Sequence, residues 1–89
     1  MKAISIRITG RVQGVGFRYF VFRLARKLGV NGIVRNCSNG DVYIEAESSE
    51  SILTQFVEEC STGPSRSEVL DVHLSEIGSK DYSDFEITG

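Results

Sequence analysis

The sequence has 89 residues, of which 40% are apolar and 25% are charged, and its net charge at pH 7 is −2. A chain of this length forms one globular domain, and we expect that domain to span residues 1–89. No apolar run approaches the roughly 20 residues of a membrane span, and the first residues alternate in polarity, unlike a signal peptide. We therefore expect a cytoplasmic protein with no membrane partner.

Cys37, Cys60 and His73 are the only cysteines and the only histidine in the chain. They are too few for a disulfide framework or a Cys/His zinc site. A domain this small cannot surround a large cofactor and also build its own core. We expect two reduced cysteines, no metal and no cofactor.

The charged residues are divided unequally along the chain. Residues 1–36 contain eight Lys or Arg and no acid, whereas residues 37–89 contain two cations and all twelve acids. This asymmetry favours an anionic ligand bound by the first half, although the charges could simply pair across the folded domain. Broad nucleic-acid binding requires a basic domain overall, so the acidic second half argues against a nucleic-acid partner.

The first predicted elements are a strand, a glycine-rich loop and a helix. Residues 3–9 place three isoleucines on one face, which is the period-2 pattern of a half-buried strand. Residues 10–17 form a short connection with three glycines. From Phe17 to Leu28 the apolar side chains recur at three- and four-residue spacing, which predicts a helix that Gly29 caps.

A hairpin is predicted next, from residues 32–37 and 41–47. The Asn39-Gly40 pair between them is a strong turn signal, because both residues tolerate positive φ. In the second of these strands the alternation turns Glu45 and Glu47 toward solvent, where we expect them to be only hydrated surface carboxylates.

The second half of the chain continues with a helix and two strands. The helix is predicted to begin after a cap at Ser48 or Ser49 and to end at Gly63-Pro64. Residues 67–77 alternate in polarity and predict a fourth strand, and residues 84–88 predict a short fifth strand.

The order of these elements predicts the fold. Leu70 and Leu74 in the fourth strand and Ile87 in the fifth are expected to face the core, and Val69 the opposite side. The order β-α-β-β-α-β predicts an α+β fold, a ferredoxin-like sandwich with a mostly antiparallel sheet, two helices on one face and a short C-terminal fifth strand.

The loop from Arg11 to Phe17 joins a strand directly to a helix, so its N–H groups lie at the positive end of that helix. Gly14 and Gly16 allow several N–H groups to converge on one small anion. Arg18 adds a planar charge that can bind two phosphate oxygens. The dinucleotide fingerprint and the Walker loop are both absent. The residues favour a phosphate cradle, with a tight turn as the alternative.

Other candidate sites are weaker. His73 falls on the outward face of its strand, where a surface imidazole is more common than a catalytic one. The sequence identifies no Ser/His/Asp or Cys/His catalytic set that includes it. The aromatic residues from Tyr19 to Phe22 have helical spacing, which favours core packing.

The run from Gly10 to Arg18 resembles the first signature of the acylphosphatase family. Gly32 to Asn36, followed by Gly40-Asp41-Val42, resembles the second signature. The resemblance covers essentially the whole chain, including Gly63-Pro64 and the Tyr82/Phe85 ending. It implies an enzyme that hydrolyses acyl phosphates to a carboxylate and inorganic phosphate without metal or cofactor.

The resemblance also implies roles for individual residues. Arg18 and the cradle would hold the phosphate, and Asn36 would position the attacking water. The implied catalytic residues are Arg18 and Asn36, and the implied substrate-binding residues are Gln13, Gly14, Val15, Gly16, Phe17 and Arg18. We expect a small-molecule acyl phosphate as the substrate and a monomeric protein.

Two alternatives stay open at this point. RNA-recognition domains share the βαββαβ order, and Gly14, Gly16, Phe17 and Phe20 match four of seven fixed positions in their aromatic motif. Those aromatics must lie on a strand to stack bases, whereas here they begin a predicted helix. The second alternative is a non-catalytic regulatory or carrier domain that keeps the phosphate cradle.

Overall fold

Two helices cover one face of a five-stranded sheet in the computed structural model, which describes residues 1–89. This architecture confirms the predicted α+β, ferredoxin-like fold with its added fifth strand. The elements in chain order are β1 (Lys2–Arg11), α1 (Phe17–Leu28), β2 (Asn31–Asn36), β3 (Val42–Ser48), α2 (Glu50–Thr62), β4 (Glu68–Glu76) and β5 (Phe85–Ile87).

The strand order across the sheet is β4-β1-β3-β2-β5. Neighbouring strands are antiparallel except β2 and β5, which are parallel. Since β1 and β2 are both antiparallel to β3, they run in the same direction, as does β5. The carboxyl ends of β1, β2 and β5 therefore lie at the same edge of the sheet.

A single hydrophobic core fills the space between the helices and the sheet. α1 packs on β2 and β5, and α2 packs on β1, β3 and β4. The largest side chains that are fully buried there are Phe17, Phe56, Phe85, Ile6, Ile8 and Ile44. This packing fixes the position of both helices against the strand ends.

The helix ends agree with the sequence prediction. Gly29 has φ of 77° and its N–H donates to the Ala25 carbonyl at the end of α1. At the start of α2, the Ser49 hydroxyl accepts from the Ile52 N–H at 3.4 Å, so Ser49 rather than Ser48 is the cap.

The prediction for the fourth strand was wrong at Leu70. The pairing of β4 with β1 shifts register between Thr9 and Gly10, which leaves Leu70 as the unpaired residue of a β-bulge. Leu70 is 73% exposed, and Val69 packs against the core in its place. A bulge reverses the inward and outward alternation beyond it. Leu74 is also exposed, because β4 is an edge strand.

The prediction that Glu45 and Glu47 lie in solvent was also wrong, since they are only 6% and 2% exposed. The segment between β4 and β5 folds over this part of β3. The Glu47 carboxylate accepts from the backbone N–H groups of Lys80 at 2.6 Å and Tyr82 at 3.1 Å. Glu45 accepts from the hydroxyls of Tyr43 and Tyr82 and from Lys80 Nζ. These two carboxylates fix the segment that leads into β5.

The same contacts change the acidity of the groups involved. Burial alone would raise the pKa of Glu45, but hydrogen bonds from Tyr43, Tyr82 and Lys80 outweigh it and lower that pKa from 4.5 to about 2. Burial and the hydrogen bond to Glu45 raise the pKa of Tyr82 to about 12. Glu45 is therefore ionised and Tyr82 protonated at neutral pH.

Replacing Glu47 with Ala is expected to lower the free energy of unfolding by about 2 to 4 kcal/mol, because two backbone N–H groups lose a charged acceptor in a buried site. Urea denaturation followed by circular dichroism measures this loss. Glu58, exposed on α2, supplies the matched control, and Glu58→Ala should change the stability by less than about 0.5 kcal/mol. If Glu47→Ala loses no more free energy of unfolding than the control, Glu47 does not stabilise the fold through these two hydrogen bonds.

The pKa of Glu45 predicts how stability responds to acid. Its folded value of about 2 lies below the unfolded value of 4.5, so the stabilisation is complete above about pH 5 and is lost as the pH falls toward 2. We expect wild-type Tm to fall more steeply than that of Glu45→Gln across this range, in scanning calorimetry at matched ionic strength. If Tm falls equally with pH in the two proteins, Glu45 does not cause the acid dependence of stability.

Candidate active site

A cavity of about 250 Å³ lies where the carboxyl ends of β1, β2 and β5 meet the amino end of α1. It contains both residues that the sequence predicts to be catalytic. The lining residues are Val12, Gly14, Gly16, Phe17, Arg18, Tyr19, Asn36 and Ile87. The shared direction of the three strands brings these distant parts of the chain together.

The loop between β1 and α1 presents free backbone donors. None of the N–H groups of residues 13–19 donates a hydrogen bond within the protein. The first N–H groups of a helix have no partner inside the helix, and here the capping position is Gly16, which has no side chain to accept from them. Converging free N–H groups at a helix amino end favour a bound anion.

Glycine is required at two positions of this loop. Gly14 and Gly16 have φ of 73° and 81°, in the left-handed region that other residues rarely adopt. A Cβ added at either position would have no atom within 4 Å, so the backbone conformation and not the available space demands glycine. This geometry agrees with the predicted cradle.

Arg18 and Asn36 are brought to one point by the end of the chain. Arg18 Nη1 donates to the main-chain oxygen of Gly89, and the backbone N–H of Asn36 donates to the same oxygen at 3.3 Å. Ile87, which we expected in the core, is 42% exposed and lines the cavity instead. The sequence carries no signal for this contribution of the tail, because it depends on the parallel pairing of β5 with β2.

The side chain of Asn36 contains an unsatisfied polar atom. Its Oδ1 is buried and accepts no hydrogen bond from the protein. Leaving a buried acceptor unpaired costs about 1 to 3 kcal/mol, so this oxygen has a strong tendency to accept from a donor that enters the cavity. Water is such a donor.

Two residues of the predicted substrate-binding set do not line the cavity with their side chains. Gln13 Nε2 donates to the carbonyl oxygens of Cys37 at 2.8 Å and Asp41 at 2.9 Å. It thereby ties the cradle loop to the β2–β3 hairpin, directly after Asn36. The Val15 side chain packs against the hydrophobic core. These two residues can contact an anion only through their backbone N–H groups.

The charge asymmetry of the sequence has two structural outcomes. Three of the eight cations in residues 1–36 pair with acids of the second half, in Lys2–Glu50, Arg7–Asp41 and Arg26–Asp84. Arg18 lies at the cavity, has no Asp or Glu side chain within 4.0 Å, and donates instead to the main-chain oxygen of Gly89. Ion pairs between the two halves of the chain therefore account for part of the asymmetry, and a cation at the cavity that pairs with no Asp or Glu side chain accounts for another part.

Apart from Phe17 and Tyr19, which line the cavity, the weaker candidates lie outside it. His73 is exposed on β4, with Nε2 3.0 Å from Asp71 Oδ2. Phe17 and Phe20 lie on α1, so they are not the strand aromatics of an RNA-recognition domain. Cys37 and Cys60 are free thiols. No three His, Cys, Asp or Glu side chains cluster in a way that could hold a metal ion, and no helix has the length and apolarity needed to cross a membrane.

Known proteins resemble this chain over nearly its whole length. The protein-family model for acylphosphatase matches residues 4–87. An acylphosphatase of Thermotoga maritima is 47% identical over 87 residues, which cover 98% of this chain and 97% of that protein. This chain belongs to the acylphosphatase family. The resemblance of its two sequence signatures is thereby confirmed.

Solved structures agree with this membership. The crystal structure of acylphosphatase from Bacillus subtilis has a TM-score of 0.97 and 40% sequence identity, with 100% of both chains covered. A full-length HypF, in a phosphate- and nucleotide-bound form, matches with a TM-score of 0.90 and 40% identity over 99% of this chain and 12% of that chain. The acylphosphatase fold thus also occurs as a part of a larger protein.

Replacing Arg18 with Ala is expected to weaken the binding of inorganic phosphate by roughly 10- to 100-fold, because a charge-assisted hydrogen bond contributes about 1.5 to 3 kcal/mol. Titration calorimetry gives the dissociation constant. Arg26, near the other end of α1, pairs with Asp84 instead, and Arg26→Ala should bind phosphate as the wild type does. Equal phosphate affinities for wild type and Arg18→Ala would show that Arg18 does not bind the phosphate.

Proposed function

We propose that this protein is an acylphosphatase, which hydrolyses acyl phosphates to a carboxylate and inorganic phosphate without a metal or cofactor. The proposal is supported chiefly by the groups that meet at the cavity. Free loop N–H groups, the Arg18 guanidinium and the unpaired Asn36 amide oxygen meet there in one chain of the acylphosphatase family.

The cradle and Arg18 hold the phosphoryl group. Charge spreads over the three equatorial phosphoryl oxygens in the transition state, so fixed donors around those oxygens stabilise it more than the ground state. Backbone N–H groups held by glycine conformations at Gly14 and Gly16 need little reorganisation during the reaction. Gln13, Val15 and Phe17 contribute backbone N–H groups, and Arg18 adds a charged, two-pronged donor.

Asn36 positions the attacking water. Its amide oxygen accepts a hydrogen bond from the water, while its NH₂ group can donate, and together they fix the direction of attack. The water oxygen forms a bond to phosphorus as the bond from phosphorus to the acyl oxygen breaks. The electron pair of that bond leaves on the carboxylate, and a phosphoryl oxygen of the substrate takes the proton from the water.

This reaction does not require a strong protein base. A carboxylate is a good leaving group, so orientation of the water and stabilisation of charge supply most of the catalysis. The single histidine supports this interpretation, because His73 lies on β4 with Asp71 and not among the cavity residues.

We also propose that residues 1–89 act as one domain, as a monomer and in the cytoplasm. Every side chain that the mechanism uses comes from one copy of the chain and lies around one cavity. The free thiols of Cys37 and Cys60 support a reducing compartment.

A second candidate is a regulatory or carrier domain that binds phosphate without useful catalysis. The match to a part of full-length HypF favours it, because there the same unit occupies 12% of a larger chain. The presence of both Arg18 and Asn36 at the cavity favours the enzyme.

Phosphate release from benzoyl phosphate, in excess chelator, tests the proposal. We expect rapid release by the wild type and a fall in kcat of roughly 100-fold or more in Asn36→Ala, with inhibition by inorganic phosphate little changed, because the lost contact is to water and not to phosphate. Gln55→Ala, which removes a side-chain amide from the exposed surface of α2, is the control and should keep wild-type kcat.

Two results would count against the proposal. No release above the spontaneous rate from folded wild-type protein would favour the phosphate-binding domain. Full activity in Asn36→Ala would show that another group orients the water.

A further inference from the structure

A second space adjoins the active-site cavity along the flank of α1 that faces α2. This groove has a volume of about 610 Å³, and Gly16 and Tyr19 line both it and the cavity. In an in-line displacement the acyl group leaves on the side opposite the attacking water. Asn36, which holds that water, lines the cavity but not the groove, whereas Tyr19 lines both, so we assign the leaving-group side to the groove.

The groove combines an apolar surface with two cations. Phe20 and Leu24 supply apolar side chains, and Arg23 and Lys27 supply positive charge. Tyr19, Arg23 and Lys27 are spaced by four residues, so they form one stripe on the helix surface. The groove is therefore suited to a ligand with an apolar body and an anionic end.

The two cations are free to bind such a ligand. No carboxylate lies within 4.0 Å of either Arg23 or Lys27. The Arg23 guanidinium lies over the Tyr19 ring, 5.7 Å from its centroid, which turns it toward the amino end of α1 and the cavity.

One acid also lines the groove. Glu59 comes from α2, and its carboxylate accepts a hydrogen bond from Gln55 at 3.2 Å. The lining thus has two positive charges and one negative charge. An anion in the groove is attracted overall, and Glu59 weakens that attraction.

The distances match a substrate of moderate length. At 1.5 Å per residue, Arg23 lies roughly 10 Å along the helix axis from Gly16, and its side chain reaches back toward the amino end. In 4-carboxybenzoyl phosphate the second carboxylate lies roughly 8 Å from phosphorus at ordinary bond lengths. Its rigid ring also keeps that carboxylate from attacking its own acyl carbon.

We propose that this groove binds the acyl part of the substrate and that Arg23 and Lys27 select acyl phosphates whose acyl group carries a second anionic group. The proposal rests on the proposed function, because the acyl group enters the groove only when its phosphate occupies the cradle. The apolar part of the acyl group packs on Phe20 and Leu24, and its anionic end meets the two cations.

The test measures the ratio of kcat/KM for 4-carboxybenzoyl phosphate to kcat/KM for benzoyl phosphate. The two substrates differ only by the second carboxylate. Arg23→Gln should lower this ratio by roughly threefold, mainly through KM, since partly exposed ion pairs contribute modestly. Lys27→Gln should lower it by less, because Lys27 lies one helical turn farther from the cradle. Glu59→Gln should raise the ratio by a factor similar to that for Arg23→Gln. Increasing salt should move the wild-type ratio toward one.

Lys2→Gln is the matched control. It removes the same charge as Lys27→Gln, but Lys2 does not line the groove and pairs with Glu50 at the start of α2. This variant should keep the wild-type ratio, and all variants should match the wild type in circular dichroism.

The outcomes separate the two proposals. If benzoyl phosphate is hydrolysed but the ratio is the same in wild type, Arg23→Gln and Lys27→Gln, the groove proposal fails and the acylphosphatase proposal stands. If folded wild-type protein hydrolyses neither substrate, the acylphosphatase proposal fails and the groove proposal fails with it.

Discussion

The amino end of α1 receives no cap from the protein itself. Its capping residue is Gly16, no acid lies in its first turn, and the N–H groups before it are equally free. The positive end of the helix dipole is therefore uncompensated, and an anion is the natural partner for it. The helix cannot move to relieve this, because Val21, Leu24 and Ala25 bury its inner face against the sheet. The fold thus maintains an anion site in a fixed position.

Two side-chain clamps hold the other parts of the site against this helix end. Gln13 ties the cradle loop to the hairpin that follows Asn36, through the Cys37 and Asp41 carbonyls. On the opposite face of the sheet, Glu47 holds the backbone of the segment that leads into β5. Because β5 pairs with β2, that clamp also fixes the tail beside Asn36. Catalysis that depends on positioned donors requires this kind of support.

Much of the fold could be predicted from the sequence because it depends on local patterns. Helical spacing located α1, and Asn39-Gly40 located the hairpin, since each signal lies within a few neighbouring residues. The glycines and Arg18 indicated an anion site for the same reason. Asn36 could be assigned only through the family resemblance, because an Asn before a hairpin otherwise suggests turn chemistry.

The errors arose where distant parts of the chain meet. Glu45 and Glu47 occupy positions that the alternation of β3 assigns to an exposed face. They are buried because the segment from residue 78 to 84, distant in sequence, folds over them. The β-bulge at Leu70 depends on the register between β4 and β1. The contact of Arg18 with Gly89 depends on the pairing of β5 with β2. No local pattern contains these relationships.

In the proposed mechanism the protein holds the phosphate and directs water to phosphorus and not to the acyl carbon. Hydrolysis of benzoyl phosphate in water enriched in ¹⁸O tests it directly, with mass spectrometry of both products. If water attacks phosphorus, the label appears in inorganic phosphate and benzoate stays unlabelled. Label in benzoate would show attack at the carbonyl carbon and would contradict the roles given to the cradle, Arg18 and Asn36.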